Sequence, residues 1–107
     1  MEKIFVCQKN DLPEGEAIKV DCQPEAIAVF NIGGSFHAMN DKCSHGNASM
    51  SEGYVEDDGT IECPLHSAMF CVKTGKPLCL PATDPIPTHP VLVENDSIYV
   101  LLKEQQS

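Results

Sequence analysis

Residues 40–66 read NDKCSHGNASMSEGYVEDDGTIECPLH, and the fold turns on how this stretch is divided. Asn40 to Gly53 has no regular period and is rich in Ser, Asn and Gly, so it reads as a long loop. Loops of that length inside compact domains are usually functional. Tyr54-Val55-Glu56-Asp57 and Thr60-Ile61-Glu62-Cys63 are short β-rich runs on either side of Asp58-Gly59, which predicts a hairpin. Pro64 to Ala68 is a second loop. Two loops are thus joined by one hairpin, and the hairpin folds the second back beside the first.

Strand signals continue in both directions. Upstream, Glu25 to Ile32 and Ser35 to Met39 flank Gly33-Gly34, where both glycines accept positive φ and predict a tight hairpin. Glu16 to Cys22 alternates apolar and polar, as a half-buried strand does. Asn10 to Gly15 reads as a turn, with Asn10 as the cap of one helical turn. Lys3 to Cys7 is a first strand. Downstream, Met69 to Val72 is a strand and Lys73 to Lys76 a turn. Pro77 to Pro90 carries five prolines and reads as stiff and irregular. Val91 to Val93 and Ile98 to Leu102 form a last hairpin around Asn95-Asp96. No helix of ten residues is supported. The expectation is an all-β chain of small antiparallel sheets, one domain over residues 1–107.

Composition narrows the function. Lys+Arg is 7 against Asp+Glu 16, a formal charge of −9, and every basic residue is Lys. Without an Arg fork and with aromatics at 6%, binding to nucleic acid or an anionic membrane is not expected. The only apolar run near the N-terminus is Ile4-Phe5-Val6-Cys7, too short for a signal peptide or a span, so the expected location is the cytoplasm. In that compartment six Cys read as metal ligands plus small buried hydrophobes rather than disulfides.

The chemistry sits in the two loops. Cys43-Ser44-His45 is C-x-H; after seventeen intervening residues, Cys63-Pro64-Leu65-His66 is C-x-x-H. Two thiolates and two imidazoles can converge on one metal centre. A zinc site is one reading, although zinc fingers usually pair Cys with Cys and His with His in sequence. Here each loop supplies one of each, which suits a binuclear centre with both Cys on one iron and both His on the other, the Rieske [2Fe–2S] arrangement.

On these residues the chain resembles the Rieske ferredoxins of bacterial aromatic-ring-hydroxylating dioxygenase systems, the biphenyl, toluene and 3-phenylpropionate dioxygenase group. The likeness extends through Asn40 to His45, Glu62 to His66 and Leu80-Pro81-Ala82-Thr83. It implies the Rieske fold, with the cluster held at the tip of two loops by Cys43, His45, Cys63 and His66, and Leu80 to Thr83 as a third covering loop. It implies a one-electron carrier, monomeric and not itself an enzyme, between an NADH-oxidising FAD reductase and a terminal oxygenase. Leu65, Met50 and Met69 would shield the cluster. Glu52, Glu56, Asp57, Asp58 and Glu62 would either solvate a hairpin or form a docking patch. A Rieske-type small subunit of another redox enzyme and a zinc-stabilised interaction module are the competing readings.

High-potential Rieske proteins carry an extra Cys in each loop and a Ser and a Tyr after the second His. The matching positions here are Ala48, Leu65, Ala68 and Phe70, which implies a potential at the low end of the Rieske range, about −150 mV. His37, His89, Cys7, Cys22, Cys71 and Cys79 lie outside the motif. The histidines are expected to be surface or satisfied side chains, and the cysteines buried hydrophobes or free thiols.

Overall fold

The computed structural model describes residues 2–21, 25–42, 48–56, 58–64, 69–78 and 85–102. Among these residues, ten strands make three antiparallel sheets. The first joins β1 (Glu2–Gln8), β10 (Ser97–Leu102) and β9 (Val91–Glu94). The central sheet runs β2 (Ala17–Val20), β3 (Ile27–Ile32), β4 (Ser35–Asn40), β8 (Thr88–His89). The third consists of β5 (Tyr54–Val55), β6 (Thr60–Glu62) and β7 (Met69–Cys71).

The central sheet is covered on both faces, and β3 shows why. Ile27 through Asn31 are all buried, a continuous apolar run broken only at its end. Ile27 and Val29 face one way and pack with Ala38, Cys7, Leu12, Ile98 and Val100 against the terminal sheet. Ala28 and Phe30 face the other way, with Met39, Met50, Ile61, Cys63 and Phe70 of the loop-bearing region. The molecule is therefore three layers with two cores. Asn31, the polar end of the run, is satisfied. Its Nδ2 donates to Leu12 O at 2.7 Å and its Oδ1 accepts from Gly34 N at 3.0 Å.

The expected hairpins form. Gly33 and Gly34 sit at φ +60° and +92° in a two-residue turn, and Asn95 and Asp96 at +48° and +66° make the same kind of turn. The hairpin of residues 54–62 has a wider turn than Asp58-Gly59 alone. Val55 pairs with Ile61, Glu56 N donates to Thr60 O at 2.9 Å, and Gly59 takes φ +91° at the last turn position.

Three expectations are corrected. Asn10 lies inside a 3-10 turn (Lys9–Asp11) and does not cap it; Gln8 precedes the turn without a side-chain bond. Lys9 N instead donates to Asp96 O at 2.8 Å, so the neighbouring hairpin satisfies the turn's first amide. The stretch from Asn40 to Gly53 is not wholly irregular. Lys42 and Ser49 form a β-bridge, and Met50–Glu52 is a 3-10 turn. The proline-rich segment yields β8, because Thr88 and His89 lie between Pro87 and Pro90 and keep both their amides for pairing.

Candidate metal centre

Each candidate ligand loop is closed at its base by an antiparallel pair. Lys42 pairs with Ser49, enclosing residues 43–48. Glu62 pairs with Met69, enclosing residues 63–68. The two loops are equal in length, and a Cys occupies the first position of each, Cys43 and Cys63. Of the four expected ligands, only Cys63 is among the described residues; Cys43, His45 and His66 lie outside them, as do Leu65, Ala68 and Leu80 to Thr83. Among the described residues alone, no group of three or more His, Cys, Asp or Glu could hold a metal.

Cys63 is 1% exposed and belongs to the core that holds Met50, Ile61 and Phe70. Its position follows from β6: Thr60 and Ile61 are buried, Glu62 completes the ladder, and the chain leaves the sheet at Cys63.

The base of the first loop is tied by Asp41, which is 4% exposed. Its Oδ1 accepts from Ser51 N at 2.9 Å, and its Oδ2 accepts from the Ser49 hydroxyl. Its backbone O accepts from Met50 N at 2.6 Å, while its N donates to Ala26 O at 2.9 Å. One residue thus binds both ends of the loop to each other and to the central sheet. Gly53 then brings the segment leaving the first loop against Glu62, the residue before the second. A Cβ at Gly53 would lie 2.2 Å from Glu62 O, so only glycine lets the chain leaving the first loop cross the residue before Cys63.

Asp41 and Gly53 are the contributors that residue-type reasoning missed. The signal was an acid two residues before Cys43 followed by Ser49 and Ser51, hydroxyls and amides that an Asp can collect.

The outer face of the third sheet carries a row set by register. Tyr54 pairs with Glu62, Glu62 with Met69, and Leu78 N donates to Met69 O at 2.7 Å. Tyr54 and Leu78 are 64% and 55% exposed. Met69 is half-buried in this row, whereas Met50 is entirely inside the core. Phe70 points inward, opposite Ile61, and is fully buried. Ala48 packs against the same core.

The residues outside the motif behave largely as expected. His89 Nε2 bonds Asn40 Oδ1 at 2.7 Å. Cys7 is a buried free thiol whose pKa burial pushes up. Cys71 is half-buried, and hydrogen bonds from Thr74 hold its thiol below the ordinary range. Cys22 and Cys79 lie outside the described residues.

The donor chemistry and the matched loops fit a centre ligated by one Cys and one His from each loop. A family model, the Rieske [2Fe-2S] domain, matches residues 2–90. The chain belongs to the Rieske [2Fe–2S] family. The 3-phenylpropionate/cinnamic acid dioxygenase ferredoxin subunit of Shigella boydii serotype 4 (strain Sb227) is 62% identical over 106 residues, 99% of both chains. Among solved structures, the ferredoxin of Sphingomonas yanoikuyae B1 is 32% identical with a TM-score of 0.88, covering 95% of this chain and all of that one. A complex of reduced oxygenase and oxidised ferredoxin in carbazole 1,9a-dioxygenase contains a chain that is 34% identical. The TM-score there is 0.90, with 98% of this chain and 97% of that chain covered. This Rieske protein is an electron-transfer ferredoxin rather than a catalyst, and its cofactor is a Rieske-type [2Fe–2S] cluster.

Proposed function

We propose that Cys43, His45, Cys63 and His66 hold the cluster, the two Cys on one iron and the two His on the other, within a single domain of residues 1–107. The observation that carries this reading is the matched closure of the two loops, each with a Cys directly after its closing pair. When bound, a [2Fe–2S] group accepts and releases one electron. The chain's own part is to seat the Cys63 sulfur in an apolar layer, keep water from it, and fix both loop bases through Asp41 and Gly53. Alanine at any of the four ligand positions abolishes the iron and acid-labile sulfide content, two of each per chain in the parent. One zinc per chain without sulfide would overturn the assignment.

The electron passes from an NADH-dependent FAD reductase to the terminal oxygenase of an aromatic-ring-hydroxylating dioxygenase. NADH delivers a hydride, so a one-electron carrier is needed after the flavin. The relatives' role in dioxygenase systems supports the oxygenase end; the reductase end rests on this chemistry. The protein works in the cytoplasm as a monomer, consistent with the free thiols of Cys7 and Cys71. No helix among the described residues is long and apolar enough to cross a membrane.

Docking uses the Tyr54–Glu62–Met69–Leu78 row, where Glu62 is a half-buried carboxylate that makes no ion pair among the described residues. Purified reductase with NADH should reduce the ferredoxin, and the reduced ferredoxin should drive product formation by the oxygenase. Both rates should fall as salt rises toward about 0.5 M, where the Debye length is about 4 Å. Reduction that fails with a competent reductase would overturn the donor assignment. A flat salt profile would leave recognition to the apolar side chains of the row.

A further inference from the structure

A groove of about 410 Å³ opens beside the central sheet. Its origin is an interrupted ladder. β8 pairs with β4 only at Ala38↔His89 and Met39↔Thr88. The next residue, Pro90, has no N–H to donate, and its carbonyl turns away to accept from Leu101 N at 3.0 Å. The edge of β4 at Phe36 and His37 is left open, and the turn at Val72 and Lys73 forms the facing wall.

Among the described residues no acid lines this groove, whereas His37, Lys73 and His89 do. His89 comes from β8 with its ring fixed. Asn40 Nδ2 donates to Glu25 Oε2 at 2.8 Å, so Asn40 Oδ1 is the acceptor and His89 Nε2 carries a hydrogen. His37, from β4, is held below its usual pKa first by burial and then by the charge of Lys73. Lys73, from the turn, is exposed and forms no salt bridge among the described residues. The remaining wall is mostly apolar, Phe36, Ala38, Val72, Pro90 and Val91, with Thr88 as its one further polar side chain among the described residues.

We propose that this groove binds a small organic carboxylate, the carboxylate between Lys73 and His37 and the apolar body against Phe36, Pro90 and Val91. The anion supplies the counter-charge that Lys73 lacks. The volume lies within the roughly 300–1,000 Å³ usual for small-molecule sites, and an apolar wall with one convergent charged end is their common form. A bare inorganic anion would meet the cations but leave the wall uncovered. Bound carboxylate also favours the imidazolium of His37, so binding near neutral pH takes up a proton. The inference is independent of the electron-transfer partners.

Calorimetric titration of the oxidised holoprotein with 3-phenylpropionate tests it. The expected Kd is about 0.1–5 mM, and 3-phenylpropanol, neutral but of similar shape, binds roughly tenfold more weakly or worse. Lys73→Gln weakens binding by a similar factor, whereas Lys76→Gln, exposed but outside the groove, leaves it unchanged. Titration in two buffers of different ionisation enthalpy should show proton uptake, lost in His37→Gln. No binding at about 20 mM, equal binding of the alcohol, or equal binding by Lys73→Gln would overturn the proposal. Acetate binding as tightly as 3-phenylpropionate would overturn the role of the apolar wall, and absent proton uptake would overturn the placement beside His37.

Discussion

The Asp41 carboxylate accepts the Ser51 amide at 2.9 Å across the base of the first ligand loop. Because Asp41 is buried and also accepts from the Ser49 hydroxyl, its removal strips the Ser51 amide of this acceptor and leaves the Ser49 hydroxyl only Ser51 Oγ, 3.0 Å away. Asp41→Ala should cost about 3 kcal/mol, and Asp41→Asn, which keeps one acceptor, about 1 kcal/mol. Urea denaturation of the holoprotein measures both. Equal stability of the two variants would deny the carboxylate its role.

Gly53 and Gly15 are both glycines for reasons that alanine separates. At Gly53 the obstacle is contact, a Cβ 2.2 Å from Glu62 O. At Gly15 it is φ +83° alone, with nothing within 4 Å. Gly53→Ala should destabilise by about 2–4 kcal/mol and lower iron content, since the backbone before Cys63 must move. Gly15→Ala should cost about 1 kcal/mol with normal iron. Iron content unaffected at Gly53 would uncouple that contact from the centre.

The Cys71 thiol is stabilised as thiolate chiefly by the Thr74 hydroxyl, then by the Thr74 backbone amide. Its pKa lies below the usual value, so alkylation by iodoacetamide should rise at lower pH than for a free thiol. Cys7, pushed up by burial, should react only slowly. Thr74→Val removes the first donor and should shift the Cys71 rate–pH curve upward. An unchanged curve would give the effect to the backbone amide.

The absent hydroxyls at Ala68 and Phe70 predict a low potential. A donor to cluster sulfur favours the reduced, more negative state, and each is worth about 1.5–3 kcal/mol, or about 65–130 mV for one electron. Ala68→Ser combined with Phe70→Tyr should therefore raise the midpoint, measured by voltammetry from about −150 mV. Phe70 is fully buried opposite Ile61, so the double variant must first show a native fold. A folded variant at the parent potential would assign the value to solvent exposure.

Much of this was legible in the chain. Period-2 runs and the Gly33-Gly34 and Asn95-Asp96 turns located the strands, because turn chemistry is local and side-chain alternation is fixed by the pleat. The donor types of the two loops pointed to the family. What was not legible depends on approach between distant segments. Nothing near Gly53 announces that Glu62 crosses it, and the pairing of Thr88 and His89 with β4 is decided by the sheet edge they meet. Asn10 failed as a cap because the turn begins one residue earlier, at Lys9, whose amide meets Asp96 O from far along the chain.

β3 works as a partition wall. Val29 and Phe30 are adjacent in sequence yet belong to different cores, one shared with the chain termini and the other with Cys63. Packing changes on the Cys63 side therefore reach the terminal core through β3. The strand that divides the molecule also leaves the terminal core closed, among the described residues, without a side chain from either ligand loop.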